Sequence, residues 1–188
     1  MRKIKLFIAV SLDGYIARKN DDLDWLNAVE QEGEDYGYQH FIDTVDTVIL
    51  GQRTYNKVLG MAGFFPHQNK KSYIITRTPK PNTDRLIFYT GNLASLVSAL
   101  READGKDIFC DGGAYVVTEL MKINAIDEFI ISVIPLFLGD GIRLFKDNRP
   151  EMQLRLTGYH SYPTGLVQLR YERIKMGSLT EIPDLIPL

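Results

Sequence analysis

Three apolar runs in this chain break off into small and polar residues, and that pattern limits the folds open to it. The breaks fall at Val10-Ser-Leu-Asp-Gly-Tyr-Ile-Ala17, at Gly51-Gln-Arg-Thr-Tyr55 and at Asp111-Gly-Gly-Ala-Tyr115. Each apolar run reads as a buried strand, so the three polar loops should gather along one edge of a sheet. An α/β protein builds a nucleotide site in this way, from the loops that follow its strands.

The rest of the chain alternates in the same sense. Strands are predicted over Lys3 to Ser11, Thr47 to Leu50, Lys71 to Thr76, Leu86 to Tyr89, Ile108 to Cys110 and Glu128 to Ile134. Between them, Asp24 to about Val45 reads as helical with a break around Gly33, and Thr54 to Leu59 as a short helix ended by Gly60. Asn92 can cap a helix whose apolar positions Leu93, Leu96, Val97 and Leu100 recur at helical spacing, and Ala114 to Lys122 forms another. Alternation of this kind implies a mostly parallel sheet with helices on both faces. Leu154 to Tyr162 and Leu166 to Arg173 flank Pro163-Thr-Gly165, a hairpin signal that adds an antiparallel edge. No linker or repeat divides the sequence, so one domain is expected over residues 1–174, followed by a tail over 175–188.

Composition removes several classes of function. Of 188 residues, 45% are apolar and 24% charged, which suits a globular domain rather than a disordered one. The net charge is -2 with acids and bases interspersed, so no basic field awaits a nucleic acid, and any phosphate must be held locally. The apolar run after Met1 meets Asp13 too soon for a signal core or a membrane span, and the single Cys110 agrees with a reducing compartment. A cytoplasmic protein without membrane partners is expected. Cys110 reads as a small buried residue, and His40, His67 and His160 show no metal-like spacing, so no metal is assigned.

Gly51 permits close backbone approach after a strand, Thr54 and the free amides behind it can hold a phosphate oxygen, and Arg53 adds charge. A plain strand-to-helix turn with Thr54 as its cap would look the same. Gly112-Gly113 repeats the device, and two such turns suit a pyrophosphate bridged between helix ends. Thr76-Arg77 offers a hydroxyl and a two-pronged cation suited to a phosphate monoester. Neither a G-x-G-x-x-G fingerprint nor a Walker lysine motif is present. Asp13-Gly14 is a turn whose carboxylate can accept bonds from a polar ligand, and Trp25 is either a core anchor or a wall for a planar ring.

In order along the chain, Ser11-Leu-Asp-Gly-Tyr-Ile-Ala17, Asp24-Trp-Leu26, Gly51-x-x-Thr-Tyr55, Thr76-Arg77, Gly112-Gly113 and Ile134-Pro-x-x-Leu-Gly-x-Gly141 resemble the dihydrofolate reductase-like superfamily. The likeness is strongest to stand-alone bacterial proteins related to the C-terminal reductase domain of riboflavin biosynthesis. The resemblance implies an NADPH-dependent reductase on a three-layer fold with a central sheet of about eight strands. It implies that Gly51, Arg53, Thr54, Gly112 and Gly113 hold the pyrophosphate, with Ala114 and Tyr115 beside it. Thr76 and Arg77 would face the adenosine 2'-phosphate, and Ala9, Leu12, Gly14 and Ile16 the nicotinamide. Ser11, Asp13, Trp25, Tyr38, Leu138 and Gly139 become the substrate-side candidates.

Two departures bear on the substrate. Asp35 stands where a folate reductase carries its helical carboxylate, yet Tyr38 and Gln39 replace the aromatic pair that should follow. Gln52 occupies a position that is basic in some relatives. Asp13 and Asp35 are the catalytic candidates, and the expected substrate is a pterin-like or ribosylaminopyrimidine-like molecule. The zinc-type pattern of the deaminase domain that accompanies riboflavin-type reductases is missing from these residues. The alternative is a regulatory NADP-binding protein with a degenerate substrate site. A homodimer is expected by analogy, with the apolar segment Ile182 to Leu188 as a surface that could cover a partner.

Overall fold

A computed structural model describes residues 1–147 and 149–174. Strand β1 (Ile4–Ser11) is apolar almost throughout because both of its faces are covered. Ile4, Leu6 and Val10 turn toward one side of the sheet, and Phe7 toward the other. Around it lie β3 (Val45–Gly51), β4 (Lys71–Ile75), β5 (Leu86–Tyr89), β6 (Asp107–Gly112) and β7 (Glu128–Ile134). All pair in parallel, in the order β5-β4-β3-β6-β1-β7. β10 (Val167–Arg173) then runs antiparallel to β7, and β9 (Leu154–Ser161) closes the edge as its hairpin partner. The expected mostly parallel eight-stranded sheet with an antiparallel C-terminal edge is therefore present.

Two helical layers cover the sheet. α3 (Leu93–Glu102) and α4 (Ala114–Lys122) bury Leu96, Val97, Leu100, Val117 and Leu120 against Ile4, Leu6 and Ile108. On the opposite face α1 (Tyr38–Asp43) contributes Phe41, and α2 (Gln52–Ala62) contributes Tyr55 and Val58, over Val48, Leu50, Ile74 and Phe109. Asn92 caps α3 as expected, its side chain accepting from the Ser95 amide at 3.0 Å.

The stretch from Asp24 to Val45 departs from the helix that its sequence suggests. It holds a 3-10 segment at Asp24–Val29 and only six residues of α1. Gly33, Tyr36 and Gly37 all take positive φ, and Tyr36 packs edge-on to Tyr162 at 4.8 Å while its carbonyl accepts from Gln168 Nε2 at 3.0 Å. Tertiary contacts with the C-terminal hairpin thus override local helix propensity. α2 also runs through Gly60 and stops at Gly63, which takes the left-handed conformation. The tail from Lys175 to Leu188, and with it the proposed dimer segment, lies outside the described residues.

A small antiparallel ribbon of β2 (Tyr15–Ala17) and β8 (Ile142–Arg143) was too short to read from sequence. It hangs over the C-terminal ends of the central strands. Gly141 makes it possible: its φ is +153°, and a Cβ there would run into the Ala17 carbonyl oxygen. Gly141→Ala is expected to cost about 1–3 kcal/mol, since the obstacle is backbone and cannot swing aside. A urea titration against wild type measures it.

Candidate functional site

A cavity of about 480 Å³ opens at the C-terminal ends of β1, β3 and β6, beneath the β2–β8 ribbon. Phe7, Ile8 and Ala9 of β1 and Phe109 and Asp111 of β6 line it from the sheet, and Ile16, Ala17 and Ile142 from the ribbon. The first turns of α2 and α4 form a further wall with Gln52, Arg53, Thr54, Ala114 and Tyr115. This is the crevice that a parallel sheet leaves where strand order reverses about β1.

Both helices start on a glycine, Gly51 and Gly113, and neither start is capped by a side chain. Their first amides are left to other acceptors, and the two positive helix ends converge. A Cβ on Gly113 would lie 2.9 Å from Thr54 Oγ1, so any larger residue there would have to displace the Thr54 hydroxyl from the gap between the turns. The peptide between Gly112 and Gly113 is cis. Lys57 and Lys146 also line the cavity and form no ion pair among the described residues. Arg53 is engaged: its Nη2 and Nε donate to Asp21 Oδ2 at 2.6 and 2.9 Å, drawing the loop after β2 onto α2. Two uncapped helix starts with adjacent cations are a cradle whose chemistry fits a dinucleotide phosphate.

Of the other cofactor-side candidates, Ala9, Ile16, Gly51, Ala114 and Tyr115 line the cavity, whereas Leu12, Gly14, Thr76, Arg77 and Gly112 do not. Leu12 is exposed, its amide bonded to the Leu136 carbonyl at 2.9 Å, and the Gly14 carbonyl accepts from Leu144 at 3.0 Å. Thr76 donates its hydroxyl to Gln52 Oε1, which places β4's end beside the cavity wall. Arg77 follows it, exposed and without an ion-pair partner among the described residues. Gln52, unable to form an ion pair, serves as a hydrogen-bonding bridge between α2 and β4.

On the substrate side only Tyr38 reaches the cavity. Lost solvation, with the nearby Asp111 carboxylate, pushes its phenol above the ordinary value. Trp25 is 3% exposed and packs with Val29, Ile134 and Leu166 as a core anchor. Asp35 stands apart from the cavity: its carboxylate accepts from the Gln39 and Gly37 amides, both at 2.8 Å, and so secures the start of α1. Those two bonds hold its carboxyl below the ordinary range. Cys110 is fully buried, and burial pushes its thiol up to about 12, which leaves it unreactive.

Asp13 does structural work at the rim. It accepts from Ser11 Oγ at 2.6 Å, from the Leu138 amide at 3.1 Å and from the Gly139 amide at 2.7 Å, while Ser11 Oγ accepts from the Tyr15 amide at 3.0 Å. Ser11, Asp13, Leu138 and Gly139 therefore form one knot that ties the turn after β1 to the loop after β7, outside the cavity lining. Burial pushes the Asp13 carboxyl up, but the bonds from Ser11, Leu138 and Gly139 outweigh it and bring it below its usual range. A carboxyl so held is a poor proton donor at neutral pH.

Sequence reasoning passed over a different acid. Asp111 lies in the cavity wall with His67 Nε2 at 3.3 Å from its Oδ2. Its signal was present in β6, where alternation puts Ile108 and Cys110 on one face and Phe109 and residue 111 on the other. A carboxylate at that position ends the apolar run Ile108 to Cys110 where the strand reaches the cavity. His67, from the loop after α2, is 4% exposed and could not have been placed there from sequence.

The model of the RibD C-terminal domain matches residues 2–168. The chain belongs to the RibD C-terminal domain family. It is 45% identical over 173 residues to the uncharacterized protein YwjB of Bacillus subtilis (strain 168), covering 92% of this chain and 98% of that one. A crystal structure from Shewanella sp. PV-4, of a protein provisionally named for riboflavin biosynthesis, superposes with a TM-score of 0.81 at 28% identity. That match covers 92% of this chain and 99% of the other. Dihydrofolate reductase from Enterococcus faecalis, complexed with NADP(H) and RAB-propyl, superposes with a TM-score of 0.66 at 16% identity, covering 92% and 97%. This last likeness concerns the fold, which is of the dihydrofolate reductase type. The resemblance read from the ordered motifs is thereby established, and the RibD C-terminal chain carries a reductase-type fold. Among the described residues no helix is long and apolar enough to cross a membrane, and no group of three potential ligands gathers for a metal.

Removing the Asp13 carboxylate tests the knot. Asp13→Ala is expected to lose about 1–3 kcal/mol of stability at neutral pH, the worth of hydrogen bonds to a charged acceptor. Because the folded-state carboxyl lies low, that contribution is complete above the ordinary carboxylate range and is lost as pH falls through the folded value. The stability gap between wild type and variant is widest near pH 7 and closes below about pH 4. Urea denaturation at a series of pH values reads it directly.

Proposed function

We propose that this protein is an NADPH-dependent reductase acting on a small planar heterocycle of the pterin-like or ribosylaminopyrimidine-like kind. The observation that carries this reading is the pair of uncapped helix starts at Gly51 and Gly113, brought together over an apolar cavity. Bound NADPH would supply a hydride from its nicotinamide. The first-turn amides of α2 and α4, with Thr54 and Arg53, hold the pyrophosphate in this proposal, and Lys57 and Lys146 add charge at the same wall. Arg77 receives the 2'-phosphate at the outer end, in line with Thr76 and Gln52. Ala9, Ile16 and Phe7 enclose the reacting ring and keep water away from it.

Membership of the RibD C-terminal family and the complexed state of the Enterococcus relative support the cofactor assignment. One observation favours a regulatory NADP-binding protein instead: neither Asp13 nor Asp35 offers a free carboxylate to the cavity. The steady consumption of NADPH with pterin or aminopyrimidine acceptors separates the two readings. Absence of NADPH binding by fluorescence titration would sink both.

Two variants sharpen the test. Arg77→Ala is expected to weaken NADPH about tenfold or more while leaving NADH unchanged, as befits hydrogen bonds to a charged phosphate. Asp21→Asn frees Arg53 from its intramolecular anion and should tighten NADPH by at most about fivefold, since the exposed pair it breaks is worth little. Equal loss of both nucleotides in the first variant, or weaker binding in the second, contradicts the assigned roles.

A further inference from the structure

The β2–β8 ribbon over the cavity ends in a chemically reactive pair. Four Asp-Gly pairs occur in the chain, beginning at Asp13, Asp104, Asp111 and Asp140. An aspartate before glycine can close on itself: the glycine nitrogen attacks the side-chain Cγ, water leaves, and a five-membered succinimide forms. Water then adds back at either carbonyl. One product is aspartate again, and the other is isoaspartate, whose main chain runs through Cβ and Cγ and is longer by one methylene. The attack needs the nitrogen and Cγ side by side, and a carboxyl group free to turn.

The fold treats the four pairs differently. Asp13 has both oxygens bound by Ser11, Leu138 and Gly139, and the Gly14 amide donates to the Ser11 carbonyl at 2.8 Å. Asp111 and Gly112 lie within β6, their main chain held by pairing to β3. Asp104 is exposed in the turn after α3, where no hydrogen bond among the described residues brings its carboxylate to the Gly105 amide. Asp140 is placed for closure: its Oδ1 accepts from the Gly141 amide at 2.8 Å, so nucleophile and carboxyl are already neighbours. Its side chain is 61% exposed, which leaves it room to turn and gives water access.

One contact opposes the reaction. Lys19 Nζ forms an ion pair with the Asp140 carboxylate and holds it below its ordinary range. Only the neutral carboxyl loses water readily, so the ammonium slows closure. Lys19 and Asp140 flank the open end of the ribbon, two residues beyond Ala17 and two before Ile142. Gly141 sits beside them with no room toward the Ala17 carbonyl oxygen. A methylene added to the main chain at this point pushes β8 off β2.

We propose that Asp140-Gly141 is an isoaspartate-forming site guarded by Lys19, and that its conversion lifts the β2–β8 ribbon from the cavity whose wall Ile16, Ala17 and Ile142 form. This holds whatever ligand the cavity takes.

Full-length protein aged at neutral pH in heavy-oxygen water, then peptide-mapped with electron-transfer fragmentation, reports each site through the oxygen it acquires. Isoaspartate is expected at residue 140, with 13 and 111 unchanged. Lys19→Ala should raise the rate at 140, relative to Asp104 in the same sample, by about two- to fivefold, the worth of an exposed ion pair. Lys19→Arg, which keeps the cation, should retain the wild-type ratio. Hydrogen exchange at Tyr15 to Ala17 and at Ile142 and Arg143 should quicken in aged wild type and not in aged Asp140→Glu, which cannot close the five-membered ring. No conversion at 140 in wild type, conversion at 13 or 111 as fast as at 140, or an unchanged ratio in Lys19→Ala overturns the proposal. So do ribbon amides that stay protected once residue 140 has converted.

Discussion

Parallel pairing is the constraint on which everything else depends. Two neighbouring parallel strands cannot be joined by a tight turn, so the chain must cross over before the next strand begins, through a helix after β3, β5 and β6 and through an irregular stretch over 76–85 between β4 and β5. That rule sets the starts of α2 and α4 directly after β3 and β6, on the same edge. Convergence of two helix dipoles is then a by-product of topology, and glycines at 51 and 113 turn it into a usable cradle by keeping side chains out of the gap. The antiparallel hairpin of β9 and β10 contributes nothing to the cradle directly. It fixes the loop before α1 through Tyr36 and Gln168, and so sets where Tyr38 enters the cavity.

Polar residues near the cavity divide into those that build it and those that face it. Asp13 and Asp35 both sit at turns, and both spend their oxygens on backbone amides and, for Asp13, a neighbouring hydroxyl. A carboxylate satisfied by amides stays ionised and stationary, which suits an architectural part. Asp111 differs because its hydrogen-bond partner among the described residues is another side chain, the buried His67, and it faces the cavity. The distinction between scaffold and ligand-facing acid is therefore one of hydrogen-bond accounting and not of residue type.

Much of the fold was legible because the deciding signals are local. The buried strands, the Asn92 cap and the glycines after β3 and β6 each announce themselves within a few residues. The hairpin at Pro163 to Gly165 did so as well, with Gly165 at φ +85° in its turn. The segment from Asp24 to Val45 was misread because its conformation is dictated by Tyr162, Thr164 and Gln168, more than 120 residues away. The site was legible at the helix starts and poorly so elsewhere. Which way the Asp13 carboxylate turns depends on the Leu138 and Gly139 amides, and no spacing rule reports that. Asp111 could have been found from the end of the apolar run in β6, but its partner His67 arrives from a loop after α2 whose path the sequence does not specify.

The Asp21 to Arg53 pair has a consequence for how the cradle responds to ionic strength. In the ligand-free protein this cation already has an anion, so capture of a phosphate there exchanges one ion pair for another. Dissolved salt screens the pair that breaks and the pair that forms alike. Arg53 therefore adds little to the long-range field that draws a charged ligand inward, a task left to Lys57 and Lys146. A cradle wired in this way discriminates between phosphates by fit at close range, and its hold on them is buffered against the salt of the surroundings.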